Sequence, residues 1–64
     1  MVVVNGKELP IEGMQLLDYL EENHYKLERI AVEINEEIVP KKQYNSVTFK
    51  DGDVVEVVSF VGGG

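Results

Sequence analysis

The sequence contains no cysteine, no tryptophan and a single histidine, His24. The missing cysteines exclude a disulfide scaffold, a cysteine nucleophile and iron–sulfur ligation by the chain's own thiols. With one histidine, a zinc finger is excluded too. Basic residues are scarce: six Lys and Arg stand against twelve Asp and Glu, a formal net charge of −6. A field of that sign repels phosphate backbones and anionic lipid surfaces, so neither a nucleic acid nor a membrane is expected as a partner. No apolar run approaches the ~18–20 residues that cross a bilayer. No signal-peptide pattern opens the sequence, so a cytoplasmic location is expected.

What is present is one small domain of 64 residues, 44% of them apolar. That is enough for a packed core and too much for a disordered acidic tail. A chain this short buries only about 60% of the surface its unfolded form exposes, which leaves little room for an active-site cleft. A carrier, modifier or binding module, monomeric when free, is therefore expected rather than a free-standing enzyme. No pair of catalytic groups at suitable spacing argues otherwise. The acidic surface suits a protein partner with a basic or apolar face.

Met1-Val2-Val3-Val4 is β-branched after Met1 and predicts a strand with apolar residues on both faces, central in a sheet. Asn5-Gly6 is a strong hairpin signal, because both turn positions need positive φ. Glu8 to Glu12 alternates, and Pro10 makes it an edge strand. Gly13 breaks it, and Met14 to about His24 predicts a helix with Leu16 and Leu20 facing the core. Asn23 is a candidate stop. Ile30 to Ile34 alternates as a strand, and Ile38-Val39-Pro40 is a short extended piece. Lys41 to Ser46 is polar and irregular. Val47 to Phe49 predicts a short strand, Asp51-Gly52-Asp53 a turn, and Val54 to Val61 the longest strand. The order implies an α+β roll: a mixed sheet of four or five strands holding one main helix.

The C-terminal Gly62-Gly63-Gly64 follows directly from the last predicted strand. Glycines let a backbone enter a slot where any Cβ would clash, so the tail is suited to delivering its carboxylate into another protein's active site. That carboxylate is ionised at neutral pH and is a poor electrophile. It must be activated, most simply as an acyl adenylate. No Gly-rich phosphate loop is present, so the ATP site must belong to a partner. Residues 1–61 are thus expected to form the domain and residues 62–64 a flexible tail.

The chain resembles the ThiS family, the ubiquitin-like β-grasp sulfur carriers of thiamine biosynthesis. The residues that carry the resemblance span its whole length. They are Asn5-Gly6, Leu16-Leu17 with Leu20, Ala31-Val32-Glu33-Ile34-Asn35, Ile38-Val39-Pro40-Lys41, Asp51-Gly52-Asp53 and Phe60-Val61-Gly62-Gly63-Gly64. The family often has Arg where Lys41 stands and Trp where Tyr44 stands. The resemblance implies that Gly64 is adenylated by an E1-like adenylyltransferase of the ThiF type, with ATP and magnesium used by that partner and no cofactor bound by this domain. It implies conversion to a thiocarboxylate, with a sulfur donor such as a cysteine desulfurase, and delivery of the sulfur to a thiazole synthase of the ThiG type. Gly63 is then the obligatory neighbour of the reactive terminus. Three alternatives remain at this point: a small subunit of the molybdopterin-synthase type, a modifier conjugated to lysines, and a non-covalent β-grasp interaction module.

Alternation in the last strand points Val55 and Val57 to the core. It leaves Glu56, Val58 and Phe60, joined by Val3 of the first strand, as the candidate docking face. The other candidates read as structural. Asp51-Gly52-Asp53 lacks the remaining ligand positions of a calcium loop. His24 has no catalytic partner, and Glu21-Glu22, Glu36-Glu37 and Lys41-Lys42 read as solvated surface. Tyr19, Tyr25 and Tyr44 are expected to cover the core with their hydroxyls wet.

Overall fold

Two tight turns with left-handed backbone hold the sheet together, and an asparagine opens each. The computed structural model describes residues 1–60; Val61 and the expected tail of Gly62, Gly63 and Gly64 lie outside the described residues. Strand β1 (Val2–Val4) turns at Asn5, φ 51°, and Gly6, φ 84°, into β2 (Lys7–Leu9). This is the two-residue turn whose twist matches an antiparallel hairpin. Strand β3 (Ile30–Ile34) turns at Asn35, φ 53°, and Glu36, φ 71°, into β4 (Glu37–Val39). A glutamate in the left-handed region costs about 1–2 kcal/mol relative to ordinary backbone. It gave no sequence signal, and the hairpin was legible only as two separate extended pieces.

The last strand, β5 (Val54–Ser59), joins the two hairpins into one five-stranded sheet of order β2-β1-β5-β3-β4. It runs parallel to β1 and antiparallel to β3. The expected mixed sheet is therefore present, with the two most apolar strands interior and β2 at an edge. Helix α1 (Leu16–Glu22) covers one face. Leu16 and Leu20 of α1 are fully buried against Val2 and Val4 of β1, Ile30 and Val32 of β3, and Val55 and Val57 of β5. Phe49 and Tyr44 complete this core, and the Phe49 ring meets Tyr19 edge-on at 5.8 Å between centroids. Burying each of these large side chains contributes roughly 1.5–3 kcal/mol.

The helix is shorter than its sequence pattern. It starts after Gln15, whose φ of −74° and ψ of 142° are extended, because Met14 and Gln15 are held by the segment 47–49. Leu16 N–H donates to the Val47 carbonyl and Phe49 N–H to that of Met14. Those bonds form a single bridge in place of the strand expected over 47–49. The helix ends in a Schellman arrangement: Tyr25 N–H donates to the Leu20 carbonyl and His24 N–H to that of Glu21. His24 takes the left-handed position at φ 62°, where glycine is usual. Asn23, the candidate stop, is the C-cap residue, and its Nδ2 donates to the Tyr19 carbonyl at 2.9 Å.

Three further corrections are local. Strand β2 covers 7–9 rather than 8–12, since Pro10 cannot extend the ladder. Residues Lys41–Ser46, expected to be irregular, form a 3-10 helix that delivers Tyr44 into the core. Tyr44 is thus part of the core rather than a cover over it, and burial raises its hydroxyl pKa, as it does for Tyr19. Finally, β5 stops at Ser59 rather than Val61.

Both turn asparagines reach from their hairpins onto β5. The Asn5 Oδ1 accepts from Val57 N–H at 2.9 Å and its Nδ2 donates to the Val57 carbonyl at 3.3 Å. Strand β1 ends at Val4, so this side chain replaces the missing next rung of the parallel ladder. On the other edge, Asn35 Oδ1 accepts from Val54 N–H, and its Nδ2 donates to Asp53, both at 3.0 Å. At the start of β1 the Met1 ammonium lies against Asp51 and 3.4 Å from Glu12. Its hydrogen bond holds the Asp51 carboxyl below the usual range. All three groups are exposed, so this cluster contributes little.

The asparagine clamp gives a specific expectation. Asn5→Gly keeps the turn but leaves Val57 without its two side-chain partners, at about 1–2 kcal/mol. Asn5→Ala adds the cost of a left-handed non-glycine backbone, a further ~1 kcal/mol. Urea unfolding of both variants checks this; equal stability of Asn5→Gly and the parent contradicts the clamp.

Candidate functional site

The pleat of β5 sorts its residues cleanly. Val55 and Val57 are buried beneath α1, while Val54, Glu56 and Val58 face away from it. The ladder runs one residue further, because Phe60 N–H donates to the Arg29 carbonyl at 2.7 Å. By parity Phe60 falls on the same side as Val58, and the two are 51% and 55% exposed. Phe60 thus does not fold onto the core beneath α1.

Register extends this open face across the sheet. Val3 lies beside Val54 across the parallel pair, and Glu8 lies beside Val3. On the other side Glu33 pairs with Glu56, Ala31 with Val58, and Ile38 with Glu33. Paired residues in a sheet share a face. The four residues expected to form the docking face, Val3, Glu56, Val58 and Phe60, are therefore brought together. Val54, Ile38 and Ala31 were missed as apolar members, and Glu8 and Glu33 as acidic ones. Strand register was the signal needed to find them, and sequence alone does not give it.

The face is chemically two-sided. Val54 and Ile38, 50% and 65% exposed, join Val58 and Phe60 as apolar surface. Glu8, Glu33 and Glu56 stand among them, with Glu36 bordering a shallow recess beside Val54. Two carboxylates directly opposite, Glu33 and Glu56, repel each other across the strands. They become favourable only when a cation or a basic side chain approaches. Among the described residues no group of three or more His, Asp or Glu side chains is placed to hold a metal ion. None of the described helices is long and apolar enough to cross a membrane.

A mixed five-stranded sheet wrapped on one helix, with its last strand in the centre and leading to the C-terminus, is the β-grasp arrangement of ubiquitin-like carrier domains. Within that class the chain belongs to the ThiS family, whose family model matches residues 2–64. The sulfur carrier protein ThiS of Thermus thermophilus is 42% identical over 64 residues, covering all of both chains. A thiazole synthase of Paramagnetospirillum magneticum is 41% identical over 64 residues, covering 98% of this chain and 20% of that protein. The crystal structure of the thiamine biosynthesis protein ThiS from Geobacter metallireducens superposes with a TM-score of 0.77 at 33% identity, covering 98% of this chain and 97% of that one.

The register makes adjacent valines behave differently. Val58→Thr, on the open face, is expected to change stability by no more than about 0.5 kcal/mol. Val57→Thr places a hydroxyl under α1 and should cost about 1–3 kcal/mol. Thermal unfolding of the pair checks the assignment; the reverse ranking contradicts it.

Proposed function

We propose that this chain carries sulfur as a thiocarboxylate on Gly64 for thiazole formation in thiamine biosynthesis. The observation that carries the proposal is the family match, which runs through residue 64 and so includes the terminal glycines. An E1-like adenylyltransferase supplies the ATP and magnesium site. The Gly64 carboxylate attacks the α-phosphorus of ATP and pyrophosphate leaves. A desulfurase-derived persulfide, with cysteine as the ultimate sulfur source, then attacks the acyl carbon and AMP leaves. A thiol of a partner protein cleaves the S–S bond of the resulting acyl disulfide, releasing the thiocarboxylate and leaving a disulfide on the donor side. The product thiocarboxylate is a better nucleophile than the carboxylate and gives its sulfur to thiazole synthase. Gly63 and Gly62 keep the strip leading to that carboxylate free of side chains.

The partner assignment draws support from the thiazole synthase relative, where a segment like this chain makes up 20% of a longer protein. Covalent joining raises the effective concentration of a carrier at its acceptor, so the two activities are suited to meeting directly. The open face around Val3, Glu56, Val58 and Phe60 is the surface that docks the partners. Its apolar residues supply contact area, and Glu8, Glu33 and Glu56 select a basic counterpart.

Deletion of Gly64 is the test. With the activating enzyme, ATP and magnesium, the parent chain should release pyrophosphate. The deletion variant should release none above background while melting within a degree or two of the parent, since β5 ends at Ser59 and the core is built from residues 2–57. A folded deletion variant that is still adenylated contradicts the role of Gly64.

A further inference from the structure

Two positions with free main-chain groups, Ile38 and Thr48, line one cleft beside the start of β5, at the end of the sheet away from Phe60. Strand β4 is the outer strand beside β3. In the two-residue hairpin, Ile34 pairs with Glu37 and Val32 with Val39. The same alternation turns the N–H and C=O of Ile38 outward, away from β3. Across the cleft, residues 47–49 bond to the helix entry through the Val47 carbonyl and through the N–H and C=O of Phe49. Thr48 is the non-hydrogen-bonded partner of Gln15, so its own N–H and C=O point the other way. Among the described residues neither group of Thr48 has a hydrogen-bond partner. Ile38 and Thr48 both line one open cleft of about 540 Å³. Its walls include the half-buried apolar side chains of Ile34, Val39 and Val47.

We propose that this cleft accepts an extended peptide segment of a partner protein, which adds as a strand between Ile38 and Thr48. Backbone recognition of this kind uses one row of main-chain donors and acceptors and pockets for alternate side chains. Here Ile38 offers one donor and acceptor pair and Thr48 another. Val39 and Val47 call for apolar side chains on the inward positions of the incoming strand. The carboxylates of Glu37 and Asp53 outnumber the one cation, Lys50, in the lining, and with the net charge of −6 they favour basic side chains on the outward ones. The cleft lies by Asn35 and Asp53, at the start of β5. A six-residue strand, roughly 20 Å, separates it from Phe60, so a bound segment leaves the C-terminus free. The proposal does not depend on the chemistry assigned to Gly64.

The test is a nitrogen-15 NMR titration of the whole chain with the capped pentapeptide acetyl-Lys-Val-Thr-Val-Lys-amide, followed by amide hydrogen exchange. Expected are shifts centred on Ile38 and Thr48, and exchange of both amides slowed by about tenfold at saturation. N-methylation of the central threonine of the peptide should weaken binding by about tenfold, because it removes a main-chain donor without changing charge. A Thr48→Pro variant should lose the interaction. Val47 at φ −101° and ψ 129° already has the backbone a residue before proline requires, and the Thr48 N–H has no bond to lose. Should that variant fail to fold, the N-methylated peptide tests the same bond on the unaltered protein. No shifts at millimolar peptide overturn the proposal. So do shifts centred on Glu56 and Val58, or equal binding of the N-methylated peptide.

Discussion

The placement of β5 is the constraint on which the rest of this structure depends. It is the last strand in the chain and the middle strand of the sheet, and it alone connects the two hairpins. One face of it, Val55 and Val57, meets α1 and organises the core; the other, Val54, Glu56 and Val58, forms the centre of the open face. Each hairpin is fastened to it by main-chain rungs and by one asparagine side chain. A slip of one residue would exchange core for surface along the whole strand. The clamps at Val57 and Val54 hold the register against such a slip, and with it the line along which the chain leaves the domain.

That arrangement suits a protein that is acted upon. The core is small, with one helix and no disulfide, and all of it is engaged in holding β5. In the proposed reaction a larger partner carries out activation, and this domain contributes a surface and a terminus. The surface combines exposed valines, Ile38 and Phe60 with carboxylates that face one another. The mutual repulsion of Glu33 and Glu56 is relieved when a basic group approaches, so charge on this face favours a basic surface over an acidic copy of the same chain.

Much of this was legible in the residues. Alternation in β3 and β5 identified Ile30, Val32, Val55 and Val57 as inward-facing, Asn5-Gly6 identified the first hairpin, and the helical spacing of Leu16 and Leu20 identified the buried side of α1. Val3, Glu56, Val58 and Phe60, expected as a docking face, do share one face of the sheet. What sequence withheld came from tertiary contacts that override local preference. The second hairpin turns on Glu36, a residue with no intrinsic liking for positive φ. The first residues expected of the helix, Met14 and Gln15, are drawn into a bridge with 47–49, and Tyr44 is carried inward by a 3-10 helix in a stretch that is polar on paper. Val54 and Ile38 joined the open face only once the register was known. The terminal glycines lie outside the described residues, and their role rests on carboxylate chemistry and on family membership.

The most direct measurement is intact and fragment mass spectrometry of the protein isolated from its native host. Thiocarboxylate formation replaces one terminal oxygen by sulfur. Oxidation of Met1 or Met14 gives nearly the same nominal mass change, so the change must be localised, and the C-terminal fragment contains no methionine. Sulfur mapped to Gly64 is the predicted result. A carboxylate that stays unmodified after incubation with the activating enzyme, ATP, magnesium and a sulfur source contradicts the sulfur-carrier role.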